Sequence, residues 1–252
     1  NLVFSIKQAS VPAGALLAGA LLPPMALVFG WRFGLAAAAI LCLAAAVWVE
    51  RRRAAWDGSR DRERIIGTRP FASIRLVCRE PRLRHLCSTC VALASVQLLV
   101  LGYTVTLLVE TWGYSLVAAG WVLGLVQVAS IAGRLAWGMA ADRYLGGGGA
   151  LLVITISCAI LCLLVGGLDN APAGFQLSVL ALLGFCAVGW NGVYLGEVAR
   201  IAGVEGAASA TAGAMIIAFS AAILGSATAA AVYAVTGQVE IVFRLGAGFL
   251  FA

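Results

Sequence analysis

Charged residues are scarce in this sequence. They make up 11% of its 252 residues, whereas hydrophobic types make up 62%, and the mean hydropathy is +1.01. Water-soluble domains carry about a quarter charged residues. This composition excludes a water-soluble domain, because a core surrounded by water cannot bury so much apolar surface. Most of the chain therefore lies in lipid, where roughly 20 apolar residues cross the hydrocarbon layer.

Residue types that carry catalysis or bind metals are also few. His85 is the only histidine, and it supports no Ser-His-Asp set. Cys87 and Cys90 form a CxxC pair beside it, but the second ligand pair of a metal site is missing. The glycines at 146–149 lack the GK[ST] ending of a phosphate-binding loop. We therefore expect no enzyme activity, no metal and no cofactor.

Eight long apolar runs are present instead, and they predict membrane-spanning helices. The runs do not alternate with period two, which favours helices over a β-barrel. They cover residues 6–29, 33–49, 86–109, 116–141, 150–168, 175–196 and 206–235, and a last run follows Glu240. The fold class is therefore an all-α membrane protein, a polytopic helical bundle. The chain begins at Asn1 close to one run and ends at Ala252 inside another. We therefore expect a fragment of a longer protein.

The formal charge is concentrated in one segment, Glu50–Arg84. It holds eleven arginines and five acids, whereas the rest of the chain is neutral. Loops on the cytoplasmic side carry the excess of Lys and Arg. We therefore expect this segment to be a cytoplasmic linker, and alternating spans place fifteen of the seventeen basic residues on that side. The arginines are interleaved with acids, which argues against nucleic-acid binding.

Small residues form smooth faces on several predicted spans. In the seventh, Gly206, Ala210, Ala214, Ala218, Ala222, Ser226 and Ala230 recur at every fourth position. A similar row in the fourth span holds Gly120, Gly124, Ala132 and Ala136. Helices in lipid pack closely through such residues. The rows fit either static packing or a sliding interface between two bundles, and the sequence leaves both open.

A charged group ends the fourth span. Arg134, Gly138 and Asp142 have the spacing i, i+4, i+8, so they share one helical face. Charges within a membrane are costly and usually pair. Arg143 follows at once, and Glu197 and Arg200 in the next cytoplasmic turn offer partners. Asp142 is also suited to cap the N-terminus of a neighbouring helix. We expect these six residues to form a latch between inner helix ends.

Two stretches give the chain a family resemblance. GMAADRYLGG resembles the loop motif of the major facilitator superfamily, in which Gly, three residues, Asp-Arg and a further Gly follow the second or eighth helix. IKQASVPAGALLAGALLPPMALVFGWRFG resembles the fifth helix of that family. One extra residue precedes Gly146, and the basic residues after it are absent. The antiporter pattern of the fifth helix is not matched, so we do not assign an antiporter.

The resemblance implies a domain organisation and a mechanism. Residues 1–49 would be the last two helices of an N-terminal bundle, 50–84 the linker, and 85–252 a truncated six-helix C-terminal bundle. The chain would thus hold helices five to twelve of a carrier whose two bundles rock about a central site. Arg134, Gly138, Asp142, Arg143, Glu197 and Arg200 would be its inner gate, although topological charges that fix the loops inside remain an alternative.

Polar residues within spans are candidates for a substrate cavity. They are Gln97, Tyr103, Gln127, Ser130, Trp190, Asn191 and Tyr194. The pair Trp190–Asn191 is the strongest candidate. Each of these side chains fits an interhelical hydrogen bond equally well. No acid or lysine occurs at a mid-span position, so a coupling carboxylate is not visible in this sequence.

We therefore expect a secondary transporter of a small solute, with coupling to a proton or another ion left open. The alternative is a membrane receptor of the same fold that signals through the basic segment without transport. Arginine supplies all but one of the basic residues, which favours a GC-rich bacterial genome. The expected partners are the solute and the lipid bilayer. We expect a monomer in the bacterial cytoplasmic membrane, crossing it several times.

Overall fold

The computed structural model describes residues 1–56 and 70–251. Within these ranges the chain forms helices joined by short turns, and no β-strand occurs there. The helices are α1 (Leu2–Phe29), α2 (Trp31–Trp56), α3 (Pro70–Arg79), α4 (Pro81–Thr106), α5 (Leu116–Ala140), α6 (Gly146–Val165), α7 (Ala173–Ala187), α8 (Asn191–Thr236) and α9 (Val239–Phe251). One π-helical turn, Leu107–Thr111, follows α4, and another, Ala141–Leu145, follows α5. Helices satisfy the backbone groups of their interior internally, as lipid requires.

Local sequence explains where several helices begin and end. Helix α4 starts at Pro81, a residue that the first helical turn tolerates, after Glu80 in an extended conformation. The hydroxyl of Ser115 caps α5 by accepting a hydrogen bond from the Ala118 backbone N–H at 3.2 Å. Inside α8, Gly203 has φ +68° and divides it into an N-terminal part, residues 191–202, and a C-terminal part, residues 204–236.

The chain divides into two compact units. The first comprises Asn1–Ala13 together with the chain from Pro70 onwards, and it contains α3 to α9 and the start of α1. The second begins at Gly14 and holds the remainder of α1 and, through Trp56, helix α2. In this second unit the large apolar side chains of α2 are mostly exposed, such as Ile40, Leu41 and Leu43, as expected of a helix surrounded by lipid.

Four helical stretches of the described chain are long and apolar enough to cross a membrane: Trp31–Arg53, Pro81–Thr111, Leu116–Val165 and Ala173–Thr236. The third contains 50 residues and the fourth 64. A straight helix of 50 residues would be about 75 Å long, more than twice the hydrocarbon thickness. Both stretches are interrupted, the third at Gly146 with φ +68° and the fourth around Val188–Trp190 and at Gly203. The predicted count of eight spans remains a prediction.

Three predicted boundaries differ in detail from the observed helices. The polar segment Glu50–Arg84 is largely helical where it is described: α2 continues to Trp56, and α3 and the start of α4 follow from Pro70. Its residues 57–69 lie outside the described part. The glycines at 146–149 begin α6 instead of forming a loop. The sequence predicts a turn at Glu197–Glu205, but α8 continues through this range and is broken only at Gly203.

The core of the first unit depends on small residues that let helices approach closely. A side-chain Cβ at Gly184 of α7 would lie 2.8 Å from the backbone oxygen of Val126 in α5. In the C-terminal part of α8, Ala210, Ala214, Ala218 and Ala222 are buried, as are Gly213, Gly225 and Ala229. The buried face therefore does not follow the predicted row of small residues at every fourth position along its whole length. Four residues exceed one helical turn of 3.6, so such a row gradually rotates around the helix.

Candidate functional site

The face formed by Arg134, Gly138 and Asp142 on α5 and the π turn after it packs against the first turns of α1. Asp142 contacts Asn1 and Leu2, Gly138 contacts Leu2 and Ser5, and Arg134 contacts Gln8. The three residues after and within α5 follow helical spacing, and so do the residues that they contact on α1. The two helix ends therefore meet along three successive turns. All of these residues belong to the first compact unit. The face that the spacing predicts is therefore an interface with α1.

Asp142 binds the N-terminus of α1. One carboxylate oxygen accepts hydrogen bonds from the Asn1 main-chain nitrogen at 3.1 Å and from Asn1 Nδ2 at 2.9 Å. The other accepts from the Leu2 backbone N–H at 2.8 Å. The side chain remains 40% exposed. Asp142 therefore joins the π turn after α5 to the first residues of α1 through charge-assisted hydrogen bonds.

Arg134 is buried, with only 2% of its surface exposed. Its Nη1 donates a hydrogen bond to the Gln8 carbonyl oxygen at 2.8 Å, whereas its Nε has no partner among the described residues. A buried cation with one hydrogen bond is costly to maintain.

Glycines on two helices enclose the start of α1. A Cβ at Gly138 of α5 would lie 2.8 Å from Ser5 Cβ, and one at Gly192 of α8 would lie 2.7 Å from the Ser5 nitrogen. A Cβ at Gly196 would lie 2.9 Å from Asn1 Cα. Real Cβ atoms essentially never approach so closely. The N-terminal turns of α1 therefore fit in a slot between α5 and α8 that only glycine permits.

Glu197 and Arg200 form a pair separate from the Asp142 contact. Arg200 Nε donates to Glu197 Oε2 at 2.9 Å, and a second guanidinium nitrogen pairs with Oε1. The Glu197 carboxylate is buried against Gly147 in the first turn of α6, while Arg200 is largely exposed. Arg143 is exposed and makes no hydrogen bond or ion pair within residues 1–56 and 70–251. Five of the six predicted gate residues thus form two separate contacts rather than one network, and Arg143 belongs to neither.

The mid-span candidates lie mainly between α4 and α8. Asn191 Nδ2 donates to Gln97 Oε1 at 2.8 Å, and both side chains are partly buried. The Trp190 and Tyr194 rings are 5.5 Å apart in an edge-to-face arrangement, and the Tyr194 hydroxyl lies 3.2 Å from Cys87 Sγ. Trp190 Nε1 is buried without a partner in the described chain. Four of the seven candidates therefore form two pairs, Asn191–Gln97 and Trp190–Tyr194, where α8 begins, and these four residues make up the polar cluster.

The other three candidates lie apart from that cluster. On α5, Ser130 donates to the Gln127 carbonyl oxygen at 2.8 Å, and Gln127 Oε1 is buried without a described partner. Tyr103 packs edge-on against Tyr233 at 5.7 Å, and the Tyr233 hydroxyl donates to the Glu110 carboxylate. Tyr103 therefore takes part in a contact near the C-terminal end of α4.

A family model described as the Major Facilitator Superfamily matches residues 1–249. The chain belongs to this family. The predicted resemblance is thus confirmed, and the chain is a transporter of the major facilitator type in a membrane that it crosses several times. Transporters of the Major Facilitator Superfamily are generally not enzymes. None of the curated proteins compared with the chain matches it.

Sequence reasoning identified Gly138 but missed Gly192, Gly196 and Ser5, which shape the slot in this Major Facilitator Superfamily member. Gly192 and Gly196 form a GxxxG spacing, a pattern that marks close helix contacts in membranes. That signal was available in the sequence. No signal pointed to Ser5, because one serine in an apolar helix is commonplace. The CxxC pair is buried, and no group of three potential metal ligands occurs in the described ranges.

Proposed function

We propose that this chain is part of a secondary active transporter that moves a small solute by alternating access of two helical bundles. The observation that carries the proposal is the contact of Asp142 with the N-terminus of α1. It joins elements that are far apart in sequence through a few exposed, charge-assisted hydrogen bonds. Such a contact is strong enough to hold one conformation and weak enough to break on the timescale of a transport cycle.

The organisation of the transporter follows from the eight-span interpretation. Residues 1–49 belong to the N-terminal bundle, residues 50–84 connect the bundles, and residues 85–252 belong to the C-terminal bundle. The Asp142 contact then joins the two bundles at the end that carries the basic linker, which the charge distribution places in the cytoplasm. The protein works as a monomer in a bacterial cytoplasmic membrane.

The inner gate consists of the slot and its charges. Asp142 and Arg134 hold α1 through hydrogen bonds, and Gly138, Gly192 and Gly196 allow its close approach. Each of these contacts forms only when α1 lies in the slot. The Glu197–Arg200 pair fixes the adjoining part of α8 against the first turn of α6. Opening the gate withdraws α1 and exposes Ser5, which is fully buried in this conformation.

The solute site is the polar cluster of Gln97, Asn191, Trp190 and Tyr194. Amide and indole groups offer hydrogen bonds without formal charge, and the two aromatic rings offer an apolar surface. Partly exposed Asn191 and Gln97 are open to a ligand, whereas Trp190 Nε1 is a buried donor without a partner in the described part. Gln127, Ser130 and Tyr103 lie apart from this cluster and are not assigned to the solute site. The groups of the cluster suit an uncharged or weakly polar solute.

Flux measurements on the purified protein test the proposal. A panel of labelled sugars, amino acids and neutral aromatic compounds is first screened for solutes that raise the thermal stability of the protein. Each stabilising solute is then tested for uptake into proteoliposomes, with protein-free liposomes as the control. We expect uptake of at least one stabilising solute to exceed the control and to saturate with concentration.

The receptor alternative predicts a different pair of results. A receptor of this fold would bind a solute without uptake, and a soluble protein would bind the segment Glu50–Arg84. Uptake and efflux of each stabilising solute are measured with and without an imposed proton or sodium gradient. If no stabilising solute crosses the liposome membrane under any of these conditions, the transporter proposal is overturned in favour of the receptor.

Replacing Asn191 by alanine is expected to weaken solute binding by about 5- to 10-fold, because one hydrogen bond contributes about 1 kcal/mol. The measurement is the solute concentration that gives half-maximal thermal stabilisation. Thr104→Val provides the matched control, since the Thr104 hydroxyl is buried and donates only to Val100 in its own helix. If Asn191→Ala lowers thermal stability without changing solute affinity, the Asn191–Gln97 bond is structural and the site assignment is wrong.

A further inference from the structure

Arg134 lies where the slot around the start of α1 meets the proposed solute site. A Cβ at Gly189 would be 3.3 Å from the Arg134 backbone nitrogen and 3.1 Å from the Gly133 carbonyl carbon. Gly189 directly precedes Trp190 and Asn191, which belong to the polar cluster. Helix α5 therefore brings this arginine next to the chain segment that carries two of the solute-site residues.

The same arginine makes the slot contact that is farthest from the N-terminus of α1. Its Nη1 donates to the Gln8 carbonyl oxygen at 2.8 Å, whereas Gly138 contacts Ser5 and Asp142 binds the first residues of α1. Withdrawal of α1 from the slot would remove the Gln8 acceptor. The guanidinium would then face the space that α1 had occupied, beside the polar cluster.

No acidic group of the described chain pairs with Arg134, although the residue is only 2% exposed. The two acids of the proposed gate have other partners: Asp142 binds Asn1, and Glu197 pairs with Arg200. A buried cation is costly unless an anion pairs with it. Ionisable side chains inside membrane proteins accordingly mark the pathways of substrates and ions.

Hydrogen-bond donors without described partners recur around this contact. Arg134 Nε, Trp137 Nε1 and Trp190 Nε1 are all buried and make no hydrogen bond within residues 1–56 and 70–251. Trp137 follows Arg134 by three residues, so the two share one face of α5, and Trp190 follows the contacting Gly189. Free N–H donors around a cation favour an acceptor that carries negative charge.

We propose that Arg134 binds the carboxylate of the transported solute when α1 leaves the slot. This inference rests on the proposed function, and it assigns the solute to small organic acids whose uncharged body contacts the polar cluster. A carboxylate accepts two parallel hydrogen bonds from a guanidinium, whereas the Gln8 carbonyl oxygen accepts one. The solute thus replaces Gln8 as the acceptor and stabilises the open gate.

The first test compares an acid with its own amide, which has the same shape without the charge. Benzoate and benzamide, and hexanoate and hexanamide, are titrated at neutral pH, and the concentration that gives half-maximal thermal stabilisation is measured. A hydrogen bond to a charged group contributes about 10- to 100-fold in affinity, so we expect at least one acid to bind that much more tightly than its amide. Arg134→Gln should remove the preference and keep amide binding, whereas Arg79→Gln, which changes an exposed arginine of α3, should keep both.

The second test measures the gate. Ser5→Cys, with exposed Cys42 and Cys78 replaced by serine, reports the open gate through its rate of labelling by N-ethylmaleimide. An acid that binds only the open gate should raise this rate about 10-fold at ten times its midpoint concentration. Its amide, chloride and phosphate should leave the rate unchanged, and so should the acid when Arg134→Gln is added.

Four results would overturn the carboxylate assignment. They are equal binding of acids and amides, an acid preference that survives Arg134→Gln, an equal effect of chloride or phosphate, and the absence of acid binding by a protein that transports another solute. The transporter proposal survives all four, because it depends on the uptake of a solute and not on the charge of that solute.

Discussion

Asp142→Asn is expected to expose the start of α1 and to slow transport. The asparagine keeps one acceptor oxygen but loses the negative charge that faces the N-terminus of α1. The charge-assisted hydrogen bonds contribute about 1–2 kcal/mol here, since the side chain is partly exposed. The closed gate should therefore lose about 5- to 30-fold in population relative to the open one.

The measurement for Asp142→Asn is the labelling rate of a cysteine at position 5. Ser5→Cys is introduced with exposed Cys42 and Cys78 replaced by serine, since the other five cysteines are buried. N-ethylmaleimide should label Cys at this position about 5- to 30-fold faster in the Asp142→Asn variant. Asp169→Asn, which changes an exposed acid outside the slot, provides the control. Unchanged labelling and unchanged solute flux would remove Asp142 from the gate.

Gly192→Ala should have the largest effect on the slot. The added Cβ would overlap Ser5, since it would lie 2.7 Å from the Ser5 nitrogen and closer still to Ser5 Cα. Overpacking of this kind costs about 1–3 kcal/mol. Two bundles that separate can relieve the overlap by withdrawing α1, so we expect the open gate to gain about 5- to 150-fold in population. The same labelling of a cysteine at position 5 measures it.

Two further glycines provide the contrast for Gly192→Ala. Gly102 of α4 has open space around its Cβ position, so Gly102→Ala should leave labelling unchanged and keep or raise thermal stability. Gly184 packs against Val126 within the first unit, where no gate motion relieves the overlap. Gly184→Ala should therefore lower thermal stability without faster labelling. If Gly192→Ala behaves like Gly184→Ala, the slot is a static packing contact rather than a gate.

Helical spacing predicted which gate residues share a face, but it did not predict what they contact. Arg134, Gly138 and Asp142 lie on one face of the α5 helix end because of the 3.6-residue turn. Their hydrogen-bond partners on α1 are 126 to 141 residues away in sequence. Local periodicity carries no information over that distance. The expected network with Glu197 and Arg200 likewise depended on proximity, and the structure gives that pair its own contact.

The same distinction between what the sequence predicts and what the tertiary structure decides applies to the mid-span candidates. Each was identified as a polar side chain in an apolar run, a property that sequence displays directly. The hydrogen bond from Asn191 to Gln97 spans 94 residues, whereas the packing of Trp190 on Tyr194 follows from their i, i+4 spacing at the start of α8. Gln127, Ser130 and Tyr103 have the same sequence character but lie elsewhere. Polarity alone therefore does not separate members of the cluster from the rest.

Composition and motifs by themselves determined that this chain lies in a membrane, that it is helical and that it belongs to the Major Facilitator Superfamily. These properties depend on summed hydropathy, on the backbone's need for internal hydrogen bonds in lipid and on one short loop motif. The slot around Ser5 and the orientation of Asp142 towards α1 were decided by tertiary structure alone. Each arises where helices distant in sequence approach closely, and that approach depends on the packing of the whole bundle.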